Sequence, residues 1–217
     1  LRRATIDTCI FNLETSYDNS TDKKKAFLHV FWNEFNGKRG FNKFNITMAQ
    51  HLEKPLADKG VFEAFKKRIA EEGGDWNDPG MAADMIDNEL SLVLDIAAEL
   101  APSLDKESIR ERIIKRDTNM SIERFGGELA AYLKDKGDDY RLILLADEVS
   151  QFINKERDRY LNLQEIITKL SESCGNKVWV ACTAQQDLSE IMDDCHIVEE
   201  KDKEGKYKLY FEETKTP

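Results

Sequence analysis

Residues 142–146 (LILLA) form an unbroken apolar run of five that stops in two adjacent carboxylates, Asp147 and Glu148, with Ser150 and Gln151 just beyond. A run this short and apolar at every position predicts a central strand of a parallel sheet, covered by helices on both faces. The acids then stand at the strand's carboxyl end, where open α/β sheets bind their ligands. A second compact run, 178–182 (VWVAC), follows a segment in which Tyr160, Leu163, Ile166, Ile167 and Leu170 recur at helical spacing. Strand, helix and strand make a crossover of ordinary length, which predicts parallel pairing. Thr183, Gln185 and Gln186 are thereby expected at the same edge as Asp147 and Glu148. Residues 4–13, β-branched and mostly apolar, read as a third strand of the sheet.

A hydrophobic strand closing in Asp-Glu is the pattern of the Walker B segment of P-loop NTPases. There the first acid holds Mg²⁺ through its water shell, and the second orients or deprotonates the attacking water. Thr183 stands where such an ATPase places the polar sensor of the γ-phosphate. The same residues also read as a buried strand leaving into a solvated acidic turn, with Thr183 a helix cap or turn residue, because the motif is short and common. The sequence G-x-x-x-x-G-K-[ST] does not occur, and the glycine pairs at 73–74 and 126–127 lack the Lys-Ser or Lys-Thr that would follow. The chain opens without Met, almost directly on its first strand. The expectation is a fragment cut just downstream of its own phosphate loop.

Between the strands the periodicity predicts helices over 46–59, 61–72, 80–100, 103–116 and 121–136. Three parts are expected: a first strand and helix over 1–44, an all-helical insertion over 45–137, and a part over 138–217 with the acid-bearing strand, the sensor strand and a terminal hairpin. Trp76, in the turn DWNDP, is expected to anchor packing. Lys106, Arg110, Arg112, Lys115 and Arg116 make 103–116 the most basic stretch. The interspersed Asp105, Glu107 and Glu111 favour surface pairing over a regulatory or nucleic-acid contact. Lys23, Lys24 and Lys25 read as a solvated face or as a contact to phosphate or nucleic acid. A short helix is expected over 187–194, and 206–211 (KYKLYF) alternates as a half-exposed strand does, with a hairpin tip near Gly205.

With 42 acidic and 32 basic residues among 217, the net charge of −10 argues against broad nucleic-acid binding and leaves room for a local patch. No apolar run approaches the roughly 20 residues of a membrane span, and no signal-peptide pattern is visible, so the cytoplasm is the expected compartment. The four cysteines lack disulfide or metal spacing and read as buried thiols. Cys195 with His196 offers two ligands, but nothing nearby completes a zinc set.

The order LILLADEVSQFI, then YLNLQEIITKLSESCGNKVWVACTAQQDL, resembles the large P-loop ATPase of the BREX phage-defence systems, of the BrxC/PglY type. Those proteins show a similar strand, DEV-x-QFI, an LNLQ-containing helix and a KVWV-type strand ending in Thr-x-Gln-x-Asp. The resemblance extends more loosely to the amino-terminal strand and to the VFEAFKKRI helix. It implies an α/β fold, a partial P-loop NTPase sheet of the additional-strand class with a large helical insertion. It further implies an ATPase parent using ATP and Mg²⁺, with other defence-system proteins, and nucleic acid in the parent complex, as partners and no membrane. By the motif match Asp147 is the Mg²⁺-site acid, Glu148 the catalytic acid, and Thr183 or Gln185 the sensor. Without a phosphate loop the fragment itself is expected to be inactive and to bind no cofactor. Its open sheet edge is expected to be covered by 206–211 folding back, or by a second copy in a homodimer. The alternative is a non-catalytic domain whose helical block docks a partner.

Overall fold

The computed structural model describes residues 5–13, 23–134, 136–186, 190–191, 197–201 and 207–211. The turn over 14–20, most of the helix expected over 187–194, Cys195 with His196, and the hairpin tip at Gly205 lie outside them. The chain is α/β, with three parallel strands and a majority of helix. It divides into two compact units, Leu1–Phe31 with Met120–Pro217, and Trp32–Asn119. The second begins earlier and ends earlier than the insertion expected over 45–137, and the last expected helix belongs with the sheet.

In the sheet unit the strands β1 (Thr5–Asn12), β2 (Tyr140–Asp147) and β3 (Val178–Cys182) lie in that order, all parallel, with β2 in the centre. Cys9 pairs with Leu144 and Phe11 with Ala146, and these residues, with Leu142, form a buried face. The first turns of α1 (Ala26–Lys38) pack on it, Phe31 meeting Phe11 edge-on at 5.3 Å. Phe27 in turn meets Phe152 of the short helix α8 (Val149–Ile153) at 4.8 Å. Between β2 and β3 runs α9 (Arg157–Cys174), which buries Tyr160, Leu163, Ile166 and Leu170 at the expected spacing and turns Asn162 inward to accept a bond from Leu28 N–H. Alongside α9 lies α7 (Ile122–Lys134), and the closeness of the two rests on Gly126. A methyl group there would stand 2.9 Å from Ser173 Oγ.

The opposite face of the sheet departs from expectation. Ile10, 67% exposed, pairs with Leu145, which pairs with Ala181; Ile143 pairs with Trp179, 60% exposed. Among the described residues, helices therefore cover one face, not both. Apolar identity at every position of 142–146 says that both faces suit burial, but not which segment supplies each cover. The outer edge of β3 also has no strand beside it among the described residues. The segment expected to fold back onto it forms β5 (Tyr207–Phe211), which pairs antiparallel with β4 (Ile197–Lys201) as a separate two-stranded sheet.

The helical unit contains α2, built from Ile46–Met48, a π-helical turn Ala49–Glu53 and Lys54–Asp58, followed by α3 (Phe62–Glu71), α4 (Pro79–Asn88), α5 (Leu90–Leu100) and α6 (Lys106–Ile114). The stretch 80–100, expected as one helix, is broken at Glu89, whose extended φ of −128° ends α4 while its carbonyl accepts the first bond of α5. Side-chain caps start three of the helices: Asn45 accepts from Met48 N–H, Asp78 from Gly80 and Met81 N–H, and Asp105 from Ser108 N–H. Each such cap contributes about 1 kcal/mol. The basic residues of α6 are largely engaged at the surface, Lys106 with Asp95, Arg110 with Glu107, Arg112 with Asp117 and Lys115 with Glu111. Trp76 is a packing anchor, edge-on to Phe65 at 4.8 Å, and its indole N–H donates to Glu53 at 2.8 Å.

Glu53 lies inside this unit, 2% exposed, and also accepts from the backbone of Asn42 at 2.6 Å. Burial pushes its carboxyl up to about 7, against the opposing pull of the Asn42 and Trp76 donors and the charges of Lys66 and Arg39. The native state thus holds this proton up to about pH 7, while the unfolded chain releases it near the ordinary 4.5. Glu53 therefore contributes most to stability below pH 4.5, and that contribution falls as the pH rises towards 7.

Urea midpoints followed from pH 4.5 to 7 will fall in the native chain relative to Glu53→Gln, the difference amounting to on the order of 3 kcal/mol. Gly126→Ala will destabilise by about 1–3 kcal/mol, because Ser173 must move. The neighbouring Gly127, where an added methyl meets nothing within 4 Å, is its control. Gly127→Ala will stabilise by about 1 kcal/mol through helix propensity alone, as thermal or urea unfolding of both variants will show.

Candidate functional site at the carboxyl edge of the sheet

All three parallel strands end in polar chemistry. Asp147 is the last residue of β2 and pairs in register with Asn12, the last of β1. Both continue the alternation of Ile10 and Leu145, so they stand at the end of the uncovered face. Thr183 follows β3 and prolongs its ladder, its N–H donating to Ala146 O at 3.0 Å and its carbonyl accepting from Val149 N–H at 2.9 Å. That ladder fixes the Thr183 side chain beside the acids. Its hydroxyl donates to Asp147 Oδ1 and accepts from Glu148 N–H at 3.1 Å. Glu148 N–H also reaches Asp147 Oδ1 at 3.1 Å.

Glu148 is the hinge between β2 and α8. Its backbone is left-handed, with φ 59° and ψ 39°. That region costs an L-residue without a glycine's freedom about 1–2 kcal/mol, and such conformations gather at functional sites because the surroundings hold them there. Here the holding groups are the Thr183 bonds on the backbone and Asn12 on the side chain, with Asn12 Nδ2 donating to Glu148 Oε2 at 2.7 Å. The carboxylate is half-buried and fixed in direction by a neutral donor.

Of the residues singled out from sequence, Asp147, Glu148 and Thr183 are brought into one hydrogen-bonded group. Gln185 is held differently: its backbone N–H donates to the buried Ser150 Oγ at 3.1 Å, and the residue as a whole is exposed. Sequence reasoning missed Asn12. Its signal was a lone amide closing an apolar strand, one position before Leu13, and it gains meaning only from the parallel register that sets it against Asp147. Among the described residues no group of three or more His, Cys, Asp and Glu side chains gathers to hold a metal, and no helix is long and apolar enough to cross a membrane. Cys9 and Cys174 are buried thiols as expected, whereas Cys182, at the end of the edge strand β3, is exposed, contrary to that expectation.

No protein-family model matches this chain, and no solved structure matches it.

The strain at Glu148 gives a direct test. With Asn12→Ala as background, so that the side-chain bond is already absent, Glu148→Gly will raise stability by about 1 kcal/mol in urea unfolding, since glycine takes the left-handed region freely.

Proposed function

We propose that this chain is the Walker B and sensor half of an ATP-hydrolysing P-loop module acting in a prokaryotic, BREX-like phage-defence complex. The observation that carries the reading is the gathering of Asn12, Asp147, Glu148 and Thr183 at one edge of three parallel strands, the acid-bearing strand central and the Thr183 strand outermost. In a P-loop ATPase of the additional-strand class, the strand leading to the phosphate loop lies next to the sensor strand. The edge of β3 that no described strand pairs with, and the face ending at Asp147 that no described helix covers, are where such a strand and its helix would add.

Asp147 and the Thr183 hydroxyl are hard oxygen donors of the kind Mg²⁺ takes, and Mg²⁺ in nucleotide sites needs only one or two protein ligands beside water and phosphate oxygens. When bound, the ion neutralises charge on the β- and γ-phosphates. Asp147 would hold the ion's water shell, and Thr183, hydrogen-bonded to Asp147, would sense the γ-phosphate. Gln185 is the weaker sensor candidate, being attached through its backbone. Glu148 orients the attacking water and takes its proton, and Asn12 fixes the direction of the carboxylate that does so. Turnover belongs to a protein that also carries the phosphate loop, whose amides and lysine hold the nucleotide. This chain alone is expected to bind ATP–Mg²⁺ negligibly.

One observation favours a second reading, a non-catalytic domain with a structural acid pair: Asp147 Oδ1 is already satisfied by Thr183 and the Glu148 amide. Glu148→Gln in the parent protein separates the two. Loss of a general base costs on the order of 10²–10⁴-fold in turnover, and nucleotide binding will be spared. A near-normal ATPase rate would assign the pair to structure.

A further inference from the structure

The end of α1 and the loop to α2 carry Lys38, Arg39 and Lys43 and no acid over 37–45, in a chain whose net charge is −10. At its tip Phe44 is 68% exposed. Single exposed apolar residues are ordinary, but this one is presented by a built frame. The Asn42 side chain accepts from Phe44 N–H at 2.8 Å and from Asn45 N–H at 2.9 Å, while Asn42 N–H is anchored on buried Glu53 at 2.6 Å. Asn45 then caps α2. Phe44 is thus pinned on both sides with its ring outward, which removes much of the ordering cost of binding to it.

One of these cations stands at that ring. Lys43 Nζ stands 5.2 Å from its centroid, and its stem runs past Gly37, where a methyl group would lie 3.4 Å from it. Lys43 pairs loosely with Glu34 at 3.8 Å, and its side chain is 43% exposed. Arg39 is stacked on Phe35 and Phe41, at 4.2 and 4.9 Å from their centroids, and donates to Asn36 Oδ1, which holds its positive charge in place within the loop. An exposed flat ring with a cation beside it and two more in the adjoining turn is the combination that takes a stacked base and the phosphates beside it.

We infer that the loop over 37–45 is a binding site for single-stranded nucleic acid, in which Phe44 stacks on a base and Lys43, with Lys38 and Arg39, meets the backbone phosphates. The inference stands apart from the ATPase reading, since the loop lies in the helical unit and its test involves no turnover. An acidic protein segment would use the cations without needing the ring.

Fluorescence anisotropy with a labelled oligothymidylate of about twelve nucleotides at low salt tests it on the full chain. Binding is expected to weaken with salt with a log–log slope of about −2, for about three phosphate contacts on a single strand. Phe44→Ala and Lys43→Glu should each weaken it by about tenfold. Ile114→Ala, which removes an equally exposed apolar side chain elsewhere in the same unit, should leave it unchanged. In a Phe44→Trp variant the oligonucleotide should quench the added indole and polyglutamate should not. The inference is overturned if the native chain does not bind, if Phe44→Ala binds as well as the native chain, or if an abasic oligonucleotide or polyglutamate competes as well as the base-bearing strand.

Discussion

The pairing of β2 with a parallel neighbour on each side is the constraint on which the sheet unit depends. Parallel pairing brings the carboxyl ends of neighbouring strands to the same edge, so residues far apart in sequence meet wherever their strands stop. Asn12 and Glu148 are joined across 136 positions because β1 and β2 end in register. Thr183 meets Asp147 because β3 stops one ladder step from the same line. The left-handed turn at Glu148 is a further consequence. The chain must leave the sheet sharply to enter α8, and the bonds from Asn12 and Thr183 hold it in a conformation that its own side chain disfavours.

The helical unit depends on a different device. A π-turn places Glu53 inside the core, where its two oxygens collect the Asn42 amide and the Trp76 indole. One carboxyl group thereby fixes both the loop after α1 and the DWNDP turn. A buried acid is an expensive way to join two loops, and its raised pKa is the measure of that expense.

Much of this was legible in the sequence because it depends on local pattern. The apolar run before Asp147 marked the central strand, the spacing of Tyr160 to Leu170 marked the crossover helix, and Thr183 could be set at the edge from the end of its strand. What escaped depends on register or on covering layers. Asn12 becomes part of the site only once β1 is aligned with β2. The break at Glu89 interrupts an apolar stripe that continues on both sides, so periodicity alone ran across it. The uncovered face was hidden for a further reason: Ile143, Leu145 and Trp179 suit burial as well as any residues in the chain, and residue type records where a side chain would be stable, not which segment supplies its cover.

The uncovered face and the acid pair are continuous: Ile10 and Leu145 lead along their strands to Asn12 and Asp147. A segment lying along those strands would have its end beside the carboxylates. If, on the ATPase reading, the acids take a cation, thermodynamic linkage ties the two events. By whatever factor an occupant of the face alters the affinity of the acids for a cation, the cation alters the affinity for that occupant equally. Assembly on the sheet and ligation at its edge would then be two readouts of one coupling free energy.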